Sequence, residues 1–304
     1  MEIEEERELV YVEPTEFKPF PTPPYKFSRH PFAPTIASAS YNVVLWDLNT
    51  CAKLKELEVG TFIFDLSFSP TGTHILFVTI NGIRLWNVET GELKKLSPYP
   101  LWMSAWWHPS GTSFVVLPPT EKIIKAVSAD DFSVVHDSHV ISDRKIDSLS
   151  FSPSGAKLVA CCGNELCVFH WPSFETLARK ELGGNRRSTV IANDRFIICD
   201  NKKSFDVFDW DLNFIHTSGE EEDAHQCIRK FSLIEDTLAV FDFAGRAKVL
   251  DISNDDPFEW TVKFEKGANE EDTLLGVELV SKDTLVTVIS KKKEKTHVIR
   301  VIDF

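Results

Sequence analysis

The chain has 304 residues, 43% hydrophobic and 12% aromatic, which is enough to bury a large core as two ordinary domains or as one repeat architecture. Its formal charge of −13 argues against a protein built chiefly to grip nucleic-acid phosphates, because that affinity comes from cations. No run of apolar residues is long enough for a membrane-spanning helix, and 23 Phe and 8 Trp against 2 Met point to a β-rich core of rigid side chains.

In chain order, Met1–Glu8 is acidic and lacks the basic-then-apolar order of a signal peptide. The six cysteines keep no disulfide or zinc spacing, so a reduced cytoplasmic or nuclear protein is expected. Glu8–Val12 reads as an isolated strand, followed by a proline-rich connector from Pro14 to Pro24. Next comes a recurring strand and turn: Leu66-Ser67-Phe68-Ser69-Pro70-Thr71-Gly72, Ala105-Trp106-Trp107-His108-Pro109-Ser110-Gly111 and Leu149-Ser150-Phe151-Ser152-Pro153-Ser154-Gly155. In each, Pro fixes φ and Gly supplies the backbone freedom of a tight turn. Downstream of the turns stand Leu45-Trp46-Asp47-Leu48, Leu85-Trp86-Asn87-Val88 and Asp209-Trp210-Asp211-Leu212, with weaker copies ending at Asp251 and Asp303. Taking Asp47, Asn87, Val127, His170, Asp211, Asp251 and Asp303 as marks, the steps are 40, 40, 43, 41, 40 and 52. A period near 40 denotes stacked structural repeats.

The Trp-Asp endings, the Ser-Pro-x-Gly turns and this period resemble the WD40 repeat proteins, from Arg7 to the end of the chain. The resemblance implies an all-β, seven-bladed WD40-type β-propeller. Approximate blades are 25–59, 60–97, 98–138, 139–182, 183–219, 220–265 and 266–304. Blade seven has candidates for only three strands, so an N-terminal strand within 7–13 is expected to complete it and close the ring, removing exposed sheet edges. The chain departs from the family in having no Gly-His pair, so the buried His-Asp-Ser-Trp hydrogen-bonded set is weakened and packing must carry more of the stability.

Trp46, Trp86, Trp107, Phe68 and Phe151 are read as core between blades, each worth about 3–5 kcal/mol on truncation. Cys161 and Cys162 are adjacent on a strand and face opposite ways, so with Cys167 they read as apolar filler rather than a zinc site. His74 and His297 read as surface or turn residues, and no catalytic motif, metal site or cofactor fingerprint is found. In the family, the loop entering each blade and the turn between its second and third strands open on one face, the top. Mapped so, the candidate partner-binding residues are Phe62 and Trp102 as aromatic anchors beside the channel entrance. A charged sector joins them: Arg186, Arg187, Lys202, Lys203, Arg246, Lys291, Lys292, Lys293 and Lys295. Against these stands the plainer reading of blade-capping aromatics and solubilising turns.

The expected function is a non-catalytic scaffold or adaptor that binds other proteins as a complex subunit. The alternative is an RNA-facing, non-catalytic subunit of a ribonucleoprotein or RNA-modifying complex, and a metal-dependent propeller enzyme ranks third. Substrate receptors of cullin ligases often show Trp-Asp-x-Arg, whereas Asp47 and Asp211 are followed here by Leu-Asn.

Overall fold

The structure, a computed structural model, describes residues 5–11, 26–96, 104–117, 123–138, 144–183, 190–201, 204–218, 228–242, 245–266, 272–291 and 296–304. Among the described residues, twenty-eight strands form seven antiparallel sheets of four. Blade one is built from Lys26–Arg29, Thr35–Ala39, Asn42–Asp47 and Lys53–Glu58, named from the inner strand outward. Blades two to six repeat this order, with inner strands Ile63–Phe68, Ala105–Trp107, Ser148–Phe151, Val190–Ala192 and Ile228–Ile234. Blade seven contains Asp272–Leu279, Thr284–Lys291 and Thr296–Asp303, and Glu5–Tyr11 pairs antiparallel with the last of these, from Glu5 opposite Asp303 to Tyr11 opposite His297.

The strands form because β-branched and aromatic residues run between tight turns. Each blade offers apolar side chains on both faces to its neighbours. Seven apolar clusters result, one at each seam. Phe77 and Trp86 of blade two pack against Val43 and Leu45 of blade one. Val286 and Val301 of blade seven meet Phe27 and Trp46 of blade one, so the sheets run round a ring. Cys162 and Cys167 lie in the seam between blades three and four, and Cys161 in the next, as alternation on the strand requires. Trp46, Trp86, Phe68 and Phe151 are buried and Trp107 half-buried in these seams.

Polar contacts pin the seams at two radii. Near the axis, a serine hydroxyl of one inner strand accepts from a backbone N–H of the next: Ser28 from Phe68 (2.9 Å), Ser150 from Ala192 (3.1 Å) and Ser232 from Leu279 (3.1 Å). Toward the rim, lysines of outer strands donate to carbonyls of the following blade: Lys55 to Val88 (2.6 Å), Lys94 to Asp130 (3.0 Å) and Lys180 to Leu212 (2.8 Å). Each such bond contributes about 1 kcal/mol net, less where solvent competes, but together they fix the angle between neighbours. A bulge interrupts the pairing of third and outer strands in blades one, three, four, five and six, at Leu45/Trp46 and Ala126/Val127 for instance. Bulges twist an edge away from foreign strands, which protects the exposed rim of the ring.

Of the weakened buried polar set, one pair survives in blade one: the Trp46 indole donates to Ser38 Oγ at 2.9 Å. His74 is half-buried at the start of a strand, not a free surface residue, and burial holds its imidazole below the ordinary value.

Candidate functional site

The inner strands of all seven blades enclose an axial cavity of about 820 Å³. The next-to-last residue of an inner strand faces it in six blades, Ser28, Ser67, Trp106, Ser150 and Ile191 in blades one to five and Glu278 in blade seven; Ser232 holds the equivalent place in blade six by its bond to Leu279, and Lys230 and Phe231 line the cavity there. Two lysines of the channel are paired with carboxylates across seams: Lys26 meets Asp65 at 3.4 Å, and Lys230 meets Glu278 at 2.5 Å, while Arg29 and Phe32 also line the cavity. The wall is thus hydroxyl-rich, with two indoles in its lining, Trp106 and Trp107. Among the described residues no group of three His, Cys, Asp or Glu side chains is placed to hold a metal ion. Nor is any helix among them long and apolar enough to cross a membrane.

At the top of the ring, Phe62 is half-buried in an aromatic group with Tyr41 (ring centroids 5.8 Å apart) and Phe64 (5.1 Å). Arg246 is engaged by its own blade: its Nε donates to Asp242 Oδ2 at 2.7 Å and its backbone N–H to Asp242 Oδ1. That pairing shortens its reach toward a partner. Lys291 ends the second strand of blade seven, with only its backbone described. Trp102, Arg186, Arg187, Lys202, Lys203, Lys292, Lys293 and Lys295 lie outside the described residues.

The bottom face carries features that the motif search passed over. Here, from blade one to blade four, the turn between inner and second strands of one blade rests on the turn of the next. His108 covers Gly155, and a Cβ on that glycine would stand 2.5 Å from His108 Nε2. Gly155 also has φ +75°, so the recurring glycine answers both to backbone conformation and to its neighbour's imidazole. His30 lies against Gly72 in the same way. Burial lowers the pKa of both histidines, against the opposing pull of the glycine backbone groups. Arg195 clasps blade six, donating to the carbonyls of Ile252 (2.6 Å) and Ser253 (2.7 Å) and pairing with Asp236 and Asp255. Two aromatic rings stand clear of the surface: Phe32 on the blade-one turn, 79% exposed, and Phe258 beside His216 at the rim, 75% exposed.

No family model matches the sequence, and no curated protein matches it. Solved structures do. A crystal structure of the Cps50 (Swd1) β-propeller domain from Myceliophteria thermophila superposes with a TM-score of 0.73 over 92% of this chain and 97% of that one, at 14% identity. The chain is a seven-bladed β-propeller. Its fold matches what the WD40 resemblance implied, and 1672 chains of solved structures match it, the breadth expected of an architecture reused for unrelated functions. Fold alone therefore does not choose a partner for this propeller, and the choice falls to its surface.

Proposed function

We propose that this propeller is a WD40-type, non-catalytic interaction platform, a scaffold or adaptor subunit that holds partner proteins in an assembly. The observation that carries the reading is the pinning of its seams at both radii, by Ser28, Ser150 and Ser232 inside and by Lys55, Lys94 and Lys180 outside. A disc held in this way presents surface groups at fixed separations, so binding costs little ordering entropy. The channel supports the same reading, because its lysines are already paired with carboxylates across seams. The matching structure is likewise a β-propeller domain, that of Cps50 (Swd1), in keeping with such a part.

The test is affinity purification of the tagged chain from its source cells, with and without nuclease, read by mass spectrometry. Stoichiometric protein partners that survive nuclease are the expected result. Partners lost on nuclease treatment would instead favour an RNA-facing subunit working through the charged top sector, and recovery of the bait alone would overturn the platform reading.

The N-terminal strand belongs to the same proposal: Glu5–Tyr11 closes the ring by completing blade seven. Its seven-residue register with Thr296–Asp303 supports this. Deleting residues 1–12 should lower the melting temperature and expose the edge of Thr296–Asp303 to self-association, measured by calorimetry and light scattering. A truncated chain that melts like the full one would remove the closing role.

A further inference from the structure

We infer that the bottom of the seam between blades seven and one is a docking notch for an acidic segment of a partner protein, with Arg29 as the carboxylate-binding group and Phe32 as the apolar contact. The inference rests on the platform reading above.

The residue that ends the inner-strand pattern occupies an equivalent place in every blade. It follows the channel-facing position, and its side chain enters the seam with the preceding blade. In six blades it is apolar, namely Phe68, Trp107, Phe151, Ala192, Leu233 and Leu279, and each belongs to the cluster of its own seam. In blade one it is Arg29, two residues after Phe27, which fills the blade-seven seam higher up. A guanidinium therefore stands where every other seam closes on hydrocarbon. Beside it lies a cavity of about 290 Å³, lined by Arg29, Phe32, Asn49, Ser281 and Thr284 among others.

The turns at this seam differ from those between blades one and four, where His30 lies on Gly72, Thr71 on Gly111 and His108 on Gly155. Blade seven turns through Val280-Ser281-Lys282-Asp283, and blade one through His30-Pro31-Phe32-Ala33-Pro34, with no glycine in either. Phe32 is 79% exposed at the lip.

Among the described residues nothing answers the charge of Arg29. Arg29 makes no ion pair among the described residues, whereas Arg195 on the same face is held by Asp236 and Asp255. Carboxylates near the notch have other partners. Asp47 accepts from the backbone of Asn49 and Thr50, Asp283 pairs with Lys263, and Asp303 accepts from Thr284. In a chain of net charge −13, an unpaired arginine in a notch is a local exception, and its planar donor fork suits a carboxylate. An exposed phenyl ring at the lip adds the apolar anchor that a charged contact alone lacks. The complementary occupant is a peptide with Asp or Glu next to a Leu, Ile or Phe.

The test is selection of a displayed library of random short peptides on the immobilised full chain, followed by binding of the enriched sequences as labelled synthetic peptides. Enrichment of an acidic residue beside an apolar one is expected. Affinity for those peptides should fall about tenfold or more with Arg29→Glu, fall with Phe32→Ala, and weaken as salt is raised. Lys95→Glu, an equal charge change on the outer strand of blade two, should leave it unaltered. Peptides without carboxylates, binding that survives Arg29→Glu, or no enrichment over a blank surface would each overturn the assignment. Both variants must melt like the parent, and Arg29→Gln serves where charge reversal disturbs folding. If cell-derived partners are captured equally well by Arg29→Glu, the notch is refuted while the platform reading stands; loss of all partners in the parent sinks both.

Discussion

Thr287 offers a direct test of how the seams are held. It lies in the second strand of blade seven, opposite Val277 and Arg300, and is wholly buried at 0% exposure. Leu285 and Ile289, two residues to either side, belong to the apolar cluster between blades six and seven. Among the described residues its hydroxyl finds no hydrogen-bond partner. Leaving a buried hydroxyl unsatisfied costs about 1–3 kcal/mol. Thr287→Val keeps the β-branched shape and strand preference and swaps the hydroxyl for a methyl, so the variant should gain about 1–2 kcal/mol. Thr284, three residues earlier on the same strand, is the control. Its Oγ1 donates to Asp303 Oδ1 at 2.8 Å, so Thr284→Val should lose about 1 kcal/mol. One substitution thus has opposite signs at two neighbouring sites. Urea titration followed by tryptophan fluorescence gives the readout, with the midpoint moving and the slope unchanged. A Thr287→Val protein no more stable than the parent would refute the reasoning, and would mean that the hydroxyl is satisfied after all.

The nested turns yield a second contrast. Gly155→Ala must push its Cβ against His108 at 2.5 Å and hold φ near +75°, whereas Gly60→Ala meets nothing within 4 Å and bears only its φ of +69°. Gly60→Ala should cost about 1–2 kcal/mol and Gly155→Ala clearly more, with His108→Ala relieving only the excess; equal losses at the two sites would show that the turns do not nest. Stability should also depend on pH. Burial holds His30, His74 and His108 below their ordinary value, so the unfolded chain takes up these protons first as pH falls through about 6.5. The folded state should therefore lose stability from pH 7 toward pH 5, and His108→Gln should flatten that slope; an unchanged slope would remove His108 from the account. Finally, Cys161, Cys162, Cys167 and Cys199 are buried, and the Cys162 thiol together with burial pushes Cys167 far above its ordinary value. All four should resist alkylation until denaturant is added, as peptide mass mapping would show.

The fold was legible because its markers are local. Pro and Gly in Ser69-Pro70-Thr71-Gly72 must make a turn whatever surrounds them, and Trp46, Trp86 and Trp210 recur at nearly the repeat length, so the period survives in blades whose endings have drifted. Cys161 and Cys162 were assigned to opposite faces from strand alternation alone, and they enter different seams. Contacts between blades were not legible. That Lys55 reaches Val88, or that Arg195 grips Ile252 and Ser253, depends on residues 33 and 57 positions apart in the chain, which no local pattern records.

The site shows the same division more sharply. The sequence search looked for aromatic and basic residues in top-face loops and named Phe62 and Arg246, whose side chains prove to be engaged with Tyr41 and Phe64 and with Asp242. It passed over Arg29 because one arginine in a short strand carries no motif. Its oddity exists only by comparison with Phe68, Trp107 and Phe151, and that comparison needs the blades in register. The aligned turns His30-Pro31, Ser69-Pro70, His108-Pro109 and Ser152-Pro153 do supply that register for four blades. Reading one residue back from each gives Arg, Phe, Trp, Phe. In a repeat protein the core positions are constrained six or seven times over, so a polar residue that breaks such a column without an internal partner is a stronger pointer to an external one than any cluster of charges in a loop.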